Sequence, residues 1–301
     1  MSYLSYPRSP VTAKTTAGRR GRRAAACAAL LLSSVTTLFS LGALHAPPSA
    51  AATGAPSGET AAAAQPVTAA RVTTAVLDLD APGREPTVYG EDVPYDTASI
   101  IKVDILAALL LQAQDAGRHL TAEERAQAEP MIRHSDNAAA NALWRQIGRA
   151  PGLEAANKRL GLTATKGGSG AKWGLTQTTA RDQIRLLRAV FDDTTPSAPT
   201  THALNEESRA YIRSLMSRVA DDQAWGVSAA AGSQWALKNG WLQRNTTGLW
   251  DVNSVGRITA NGHHYLVAVL SNGSASMSDG VSLVEKAARQ ALSSTSALNQ
   301  P

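Results

Sequence analysis

The sequence predicts an α+β fold, with one antiparallel sheet assembled from both ends of the chain and a layer of helices beside it. Three observations predict it. Runs rich in β-branched and aromatic residues stand near the start, over 72–80 and 87–89. Similar runs return near the end, over 234–242, 250–259 and 265–271. The long stretch between them carries apolar residues at helical spacing instead. Strands at both ends with helices between favour a single sheet packed against a helical layer.

Each element has its own signal. Residues 72–80 run into Ala81-Pro82-Gly83, a turn, and 87–89 would close a hairpin on them. Residues 99–116 are apolar on every side, which predicts a buried helix stopped by Gly117. Thr121 with Glu124 three residues later is a capping-box pattern, opening a helix that Pro130 should disturb. Further helices are predicted over 137–147, 153–160, 178–191 and 206–219. Among the late strands, Asn261-Gly262 marks a hairpin turn between the last two. A helix over 280–292 ends the fold.

The chain has 301 residues, 44% hydrophobic and 18% charged, which excludes a disordered or fibrous protein. Its net charge of +5 would suit a nucleic-acid partner. However, Arg8, Lys14, Arg19, Arg20, Arg22 and Arg23, with no acid among them, put +6 into residues 1–52 and leave the rest near −1. No basic footprint remains for nucleic acid. The basic run Arg19-Arg20-Gly21-Arg22-Arg23, the apolar stretch 24–44 and the small residues that follow predict an export signal over 1–52 and a secreted, extracellular protein. The apolar stretch is also long enough to serve as an uncleaved anchor. If the signal is cleaved, no membrane span is expected. Paired arginines leave the export route open. Cys27 is the only cysteine, so internal disulfides are excluded. Residues 53–70 read as a flexible linker and 71–301 as one domain without internal repeats, expected to be a monomer.

Three short segments hold side chains suited to chemistry. Ser99 and Lys102 lie one turn apart at the start of the apolar helix, on one face. A serine hydroxyl becomes a nucleophile when a neighbour takes its proton. A lysine amine can do so once burial depresses its pKa. Ser135-Asp136-Asn137 stands between two helical stretches, and Lys238-Asn239-Gly240 lies on the strand before the final hairpin. Taken singly, each has a plainer explanation: an N-cap serine with a snorkelling lysine, a capping cluster, a bulge glycine. Their order and contexts together point to one site.

In that order the segments resemble the penicillin-recognising serine enzymes, in particular the class A β-lactamases, whose motifs are S-x-x-K, S-D-N and K-T-G. The last is matched with Asn239 where Thr or Ser is usual. The resemblance covers about residues 71–292. It implies a class A β-lactamase/transpeptidase-like fold, a five-stranded antiparallel sheet packed against a mainly helical domain. It also implies roles. Ser99 would be the acylated nucleophile, Lys102 its hydrogen-bonded activator, and Ser135 the proton shuttle to the leaving nitrogen. Asn137, Lys238, Asn239 and Gly240 would bind substrate. The backbone N–H groups of Ser99 and Trp241 would form the oxyanion hole.

The sequence departs from that family in two places. Residues 161–177, where the family carries the glutamate that activates the deacylating water, read GLTATKGGSGAKWGLTQ, without an acid. Acylation should proceed and deacylation should be slow, since general-base help is worth roughly 10²–10⁴ in rate. Asn239 would meet a substrate carboxylate with an amide in place of a hydroxyl. Trp225, Trp235, Trp241 and Trp250 are expected to pack the sheet, with Trp241 the best candidate for a cleft wall. Asp104 is expected to pair locally or face solvent. His263-His264 lacks supporting ligands, so no metal and no cofactor are expected. The expected function is an exported serine hydrolase acting on a β-lactam or related amide or peptide through acyl-Ser99. The alternatives are a D,D-peptidase, a specialised esterase or acyltransferase, and a non-catalytic β-lactam sensor.

Overall fold

Strands from the two ends of the chain do meet in one sheet. The computed structural model describes residues 69–81, 85–193 and 203–298. The expected export signal with Cys27, and the linker apart from Ala69 and Ala70, lie outside the described residues. In chain order the strands are β1 (Arg71–Asp78), β2 (Thr87–Tyr89), β3 (Tyr95–Asp96), β4 (Gln177–Thr178), β5 (Gln234–Gln243), β6 (Trp250–Ala260) and β7 (His263–Ser274). Five of them form an antiparallel sheet in the order β2-β1-β7-β6-β5. Asn261 and Gly262, at φ 52° and 80°, turn β6 into β7 with the left-handed backbone that such a two-residue loop requires.

Both faces of the sheet are covered, and side-chain alternation divides the residues between them. On β7, Leu266, Ala268 and Leu270 enter a core shared with six helices. Those are α1 (Ile101–Asp115), α2 (Ala122–Arg133), α3 (Asn137–Gln146), α4 (Arg149–Leu160), α5 (Ala180–Phe191) and α6 (Glu206–Met216). The alternate residues Tyr265, Val267 and Val269 pack instead with Val284, Ala288 and Leu292 of α7 (Met277–Leu298). The fold is therefore α+β with a five-stranded antiparallel sheet. Among the described residues no helix is long and apolar enough to cross a membrane.

Several helices differ from expectation at their ends or interior. The apolar helix begins at Ile101, after a 3₁₀ turn Ala98–Ile100 that holds Ser99. Pro130 does not break α2, which has the expected capping box and runs on to Arg133. The Pro130 carbonyl then accepts from the N–H groups of His134 (3.0 Å) and Asp136 (3.1 Å), ending the helix just before the second motif. The helix expected over 153–160 starts earlier, at Arg149, because Pro151 falls in its first turn, where no N–H is needed.

Asp104 contradicts its expectation outright. Helix α1 is surrounded by the other helices, and Asp104 is 1% exposed with neither carboxylate oxygen hydrogen-bonded. Burial, and then the nearby Asp182 carboxylate, push its pKa from an ordinary 3.8 to about 8. The native state thus keeps a proton that the unfolded chain loses above pH ~4. Stability should fall as pH rises across that window, with the loss complete above the folded pKa. Asp104→Asn should flatten this dependence. It should raise stability at pH 9 by on the order of a few kcal/mol, since each tenfold in a proton equilibrium is about 1.4 kcal/mol. Near pH ~3, below the unfolded pKa, it should change little. Denaturant titrations at the two pH values check this, and an undiminished pH dependence in the variant would clear Asp104 as the cause.

Candidate active site

The Ser99 turn is held from three directions. Preceding it, Thr97 donates its N–H to Thr176 O (2.8 Å), and β3 pairs with β4, joining the turn to the end of the 161–177 loop. From beneath, the Asn253 amide on β6 donates to Asp96 O (2.8 Å) and Thr97 O (3.0 Å), while its oxygen accepts from Ser271 N–H (3.0 Å). On the third side lies Gly240. A Cβ there would stand 2.5 Å from Ser99 N, 2.8 Å from Ile100 N and 2.9 Å from Thr97 O. The register of β5 on β6 runs unshifted through Gly240↔Asn253, so the glycine marks a close approach and not a bulge. Ala98, next to Ser99, is left-handed at φ 47°, a strained conformation for a residue with a side chain.

The second motif shares this kind of tension. Ser135 is left-handed at φ 54°. Asp136 caps α3 by accepting the Ala139 N–H (2.7 Å), and Asn137 begins that helix. This local geometry swings the Ser135 hydroxyl between two lysines. Lys102 donates to Ser135 O (2.5 Å), Ser135 Oγ (3.0 Å) and Asn137 Oδ1 (2.8 Å). Lys238 donates to Ser135 Oγ (3.0 Å) and to Asn239 O (2.8 Å). Both lysines are buried, at 0% and 1% exposure. Loss of water lowers the Lys102 pKa to about 7, against the pull of Asp136. Burial, and then the Lys102 charge, lower Lys238 well below 10.5. Two such amines around one hydroxyl form a network through which protons can pass near neutral pH.

The structure thus gathers Ser99, Lys102, Ser135, Asn137, Lys238 and Gly240. In this state Lys102 bonds to the second motif, and among the described residues no hydrogen bond reaches the Ser99 hydroxyl. The direct Ser99–Lys102 bond expected from the resemblance is absent.

Asn239 and Trp241 are placed otherwise than expected. Alternation puts them on the face of β5 opposite Lys238. The Asn239 amide donates to Gln223 O (2.8 Å) and Trp225 O (2.9 Å), so its two donors tie the strand to the 223–225 segment and leave none for a substrate carboxylate. The Trp241 ring packs on Trp225, with centroids 5.9 Å apart, and joins the α7 core instead of walling the cleft. Only its backbone is left to serve the site.

Two residues escaped sequence reasoning. Asn253 showed no signal beyond being a polar residue in a strand. Trp173 had one, as the lone aromatic of a Gly- and Lys-rich loop. It forms a 3₁₀ turn with Gly174 and Leu175, and its ring lies over Lys102 Nζ at 4.9 Å. The indole N–H donates to Asn141 Oδ1 (2.8 Å). Beside it opens a cleft of about 660 Å³ lined by Asn137, Asn141, Trp173, Leu242, Arg244 and Asn245 among others.

The acids nearest the 161–177 loop do not replace the missing glutamate. Asp182 is buried and holds the loop base, accepting from Ala164 N–H and Thr165 Oγ1 (both 2.8 Å) and pairing with Arg185 (2.6 Å). Glu154 is exposed on α4. At the far hairpin, His263 pairs with Asp78 (2.9 Å) and His264 with Asp80 (3.0 Å).

Comparison with known proteins agrees with this fold. A point mutant of PBP-A, solved as an acyl-enzyme complex with penicillin G, superposes with a TM-score of 0.62 at 21% identity, covering 77% of this chain and 92% of that one. A β-lactamase from Xanthomonas campestris pv. campestris gives 0.59 at 21% identity, covering 75% and 91%. The TLA-1 extended-spectrum β-lactamase gives 0.61 at 17%, covering 74% and 93%. At such identities these likenesses establish the fold. A comparison with curated proteins gave no match. The sequence pattern of the beta-lactamase enzyme family matches residues 111–295, more than half of the chain. The chain therefore belongs to the beta-lactamase enzyme family and is a serine hydrolase of the β-lactamase type.

Proposed function

We propose that this protein is an exported serine hydrolase that opens a β-lactam or related amide through acyl-Ser99 and releases the acyl group slowly. The observation that carries the reading is the Ser135 hydroxyl held at 3.0 Å by both Lys102 and Lys238, beside the Ser99 turn. In the reaction, neutral Lys102 takes the proton of Ser99 as Oγ bonds to the substrate carbonyl carbon. The C–N bond then breaks, and the proton passes through Ser135 to the leaving nitrogen. Backbone N–H groups of Ser99 and Trp241 hold the oxyanion. Lys238 and Asn137 receive the substrate, while Gly240 lets β5 lie close against the Ser99 turn. Slow release follows from the acid-free 161–177 loop and the structural commitment of Asp182. Export to the extracellular side is supported by the basic and apolar pattern of residues 1–52.

Benzylpenicillin followed by intact-mass spectrometry tests this. A lasting adduct on Ser99 is expected, lost in Ser99→Ala with no change in thermal midpoint. Drug consumed without an adduct would mean that another group activates water efficiently. An unreacted drug and an unmodified protein would sink the β-lactam reading.

A further inference from the structure

We propose that Trp173 sets the lifetime of the acyl-enzyme by occupying the space from which a hydrolytic water would reach it. The inference rests on the acyl-Ser99 reading and names the residue that makes release slow.

The geometry around Lys102 leaves water no place. Its side chain is 0% exposed. Three hydrogen bonds, to Ser135 O, Ser135 Oγ and Asn137 Oδ1, use all the donors of an ammonium. The Trp173 ring covers a further side at 4.9 Å, within the range where an aromatic face attracts a cation. The ring is held on both flanks. Its N–H is bonded to Asn141 on α3. The turn that carries it is tied to the Ser99 turn by Thr97 N–H donating to Thr176 O, and the Cβ position of Gly174 is 3.9 Å from Ala98 Cα.

Deacylation by water needs the water oxygen to bond to the acyl carbon while its proton goes to a base. The C–Oγ bond then breaks, and Ser99 Oγ recovers a proton. Without a carboxylate in the 161–177 loop, Lys102 is the base at hand in its neutral form, in which one of its three donor bonds is given up. On the loop side, the indole face over Lys102 Nζ takes the place from which a water would reach the amine. The cleft lined by Asn141 and Leu242 remains as the approach for substrate. Trp173 acts through Lys102 and is a positioning residue.

The test follows acylation rate and adduct lifetime with benzylpenicillin in Trp173→Ala, Trp173→Phe and Asn141→Ala, with thermal midpoints alongside. Trp173→Ala should shorten the adduct half-life about tenfold or more, a larger change than in its acylation rate. Trp173→Phe keeps a ring over Lys102 and should restore the long lifetime. Asn141→Ala frees the indole without emptying the core and should shorten the lifetime in the same direction by a smaller factor. Equal lifetimes in all four proteins, or acylation and lifetime falling together in Trp173→Ala, would overturn the proposal while leaving acyl-Ser99 intact. Failure of the native protein itself to form an adduct would overturn the acyl-Ser99 reading and this inference with it.

Discussion

Lys102→Met should slow acylation by roughly 10²–10⁴-fold, the usual worth of a positioned general base. Methionine is close in length and stays in the buried channel, so the loss isolates the amine. The pH profile makes the stronger check. With a pKa lowered to about 7 by burial, Lys102 is protonated and inert as a base in acid. In the native protein, the second-order rate of acylation should therefore rise through pH ~7 and level off above it. In Lys102→Met the residual rate should lose that rise. A variant that kept the same profile would move the base elsewhere, with Lys238 through Ser135 the next candidate, since its pKa is lowered too. Their proximity means that the two amines titrate as a pair, each proton opposing the other.

Gly240→Ala should nearly abolish acylation even though it adds one methyl group. The new Cβ would meet Ser99 N at 2.5 Å, Ile100 N at 2.8 Å and Thr97 O at 2.9 Å, all backbone atoms. The turn cannot step back easily, because Asn253 and Thr176 hold it from other sides. Strand β5 must move instead, carrying Lys238 and the Trp241 N–H with it. A misplacement of about 1 Å can cost on the order of 10²-fold in rate, and forced overpacking costs about 1–3 kcal/mol in stability. Acylation rate and thermal midpoint, measured together, check this. Near-native acylation in Gly240→Ala would show that the close approach does not set the site geometry.

The local elements were legible in sequence because each rests on neighbours in the chain. The β-branched and aromatic run 265–271 predicted a strand, and the structure divides Leu266, Ala268 and Leu270 from Tyr265, Val267 and Val269. Thr121 and Glu124 predicted a capping box that is present. The spacing of Ser99 and Lys102 placed both near one helix start. The opposite facing of Lys238 and Asn239 was legible too, since successive residues of a strand point to opposite faces. Pro130 and Asp104 misled, because local preference expected a break and a solvated carboxylate, and packing against neighbouring helices overrode both.

The set of elements, and a serine, two lysines and a second serine in a recognisable order, can be read from the chain alone. The site depends on contacts between residues far apart in the chain. Ser135 meets Lys102 across 33 residues and Lys238 across 103. Asn253 reaches back 156 residues to hold Thr97, and Trp173 comes to rest over Lys102. Periodicity tells which face of an element is apolar, but not which distant side chain lies across from it. That is decided when the sheet and helices pack, and the same packing removes water from Lys102 and Lys238 and brings their pKa values down.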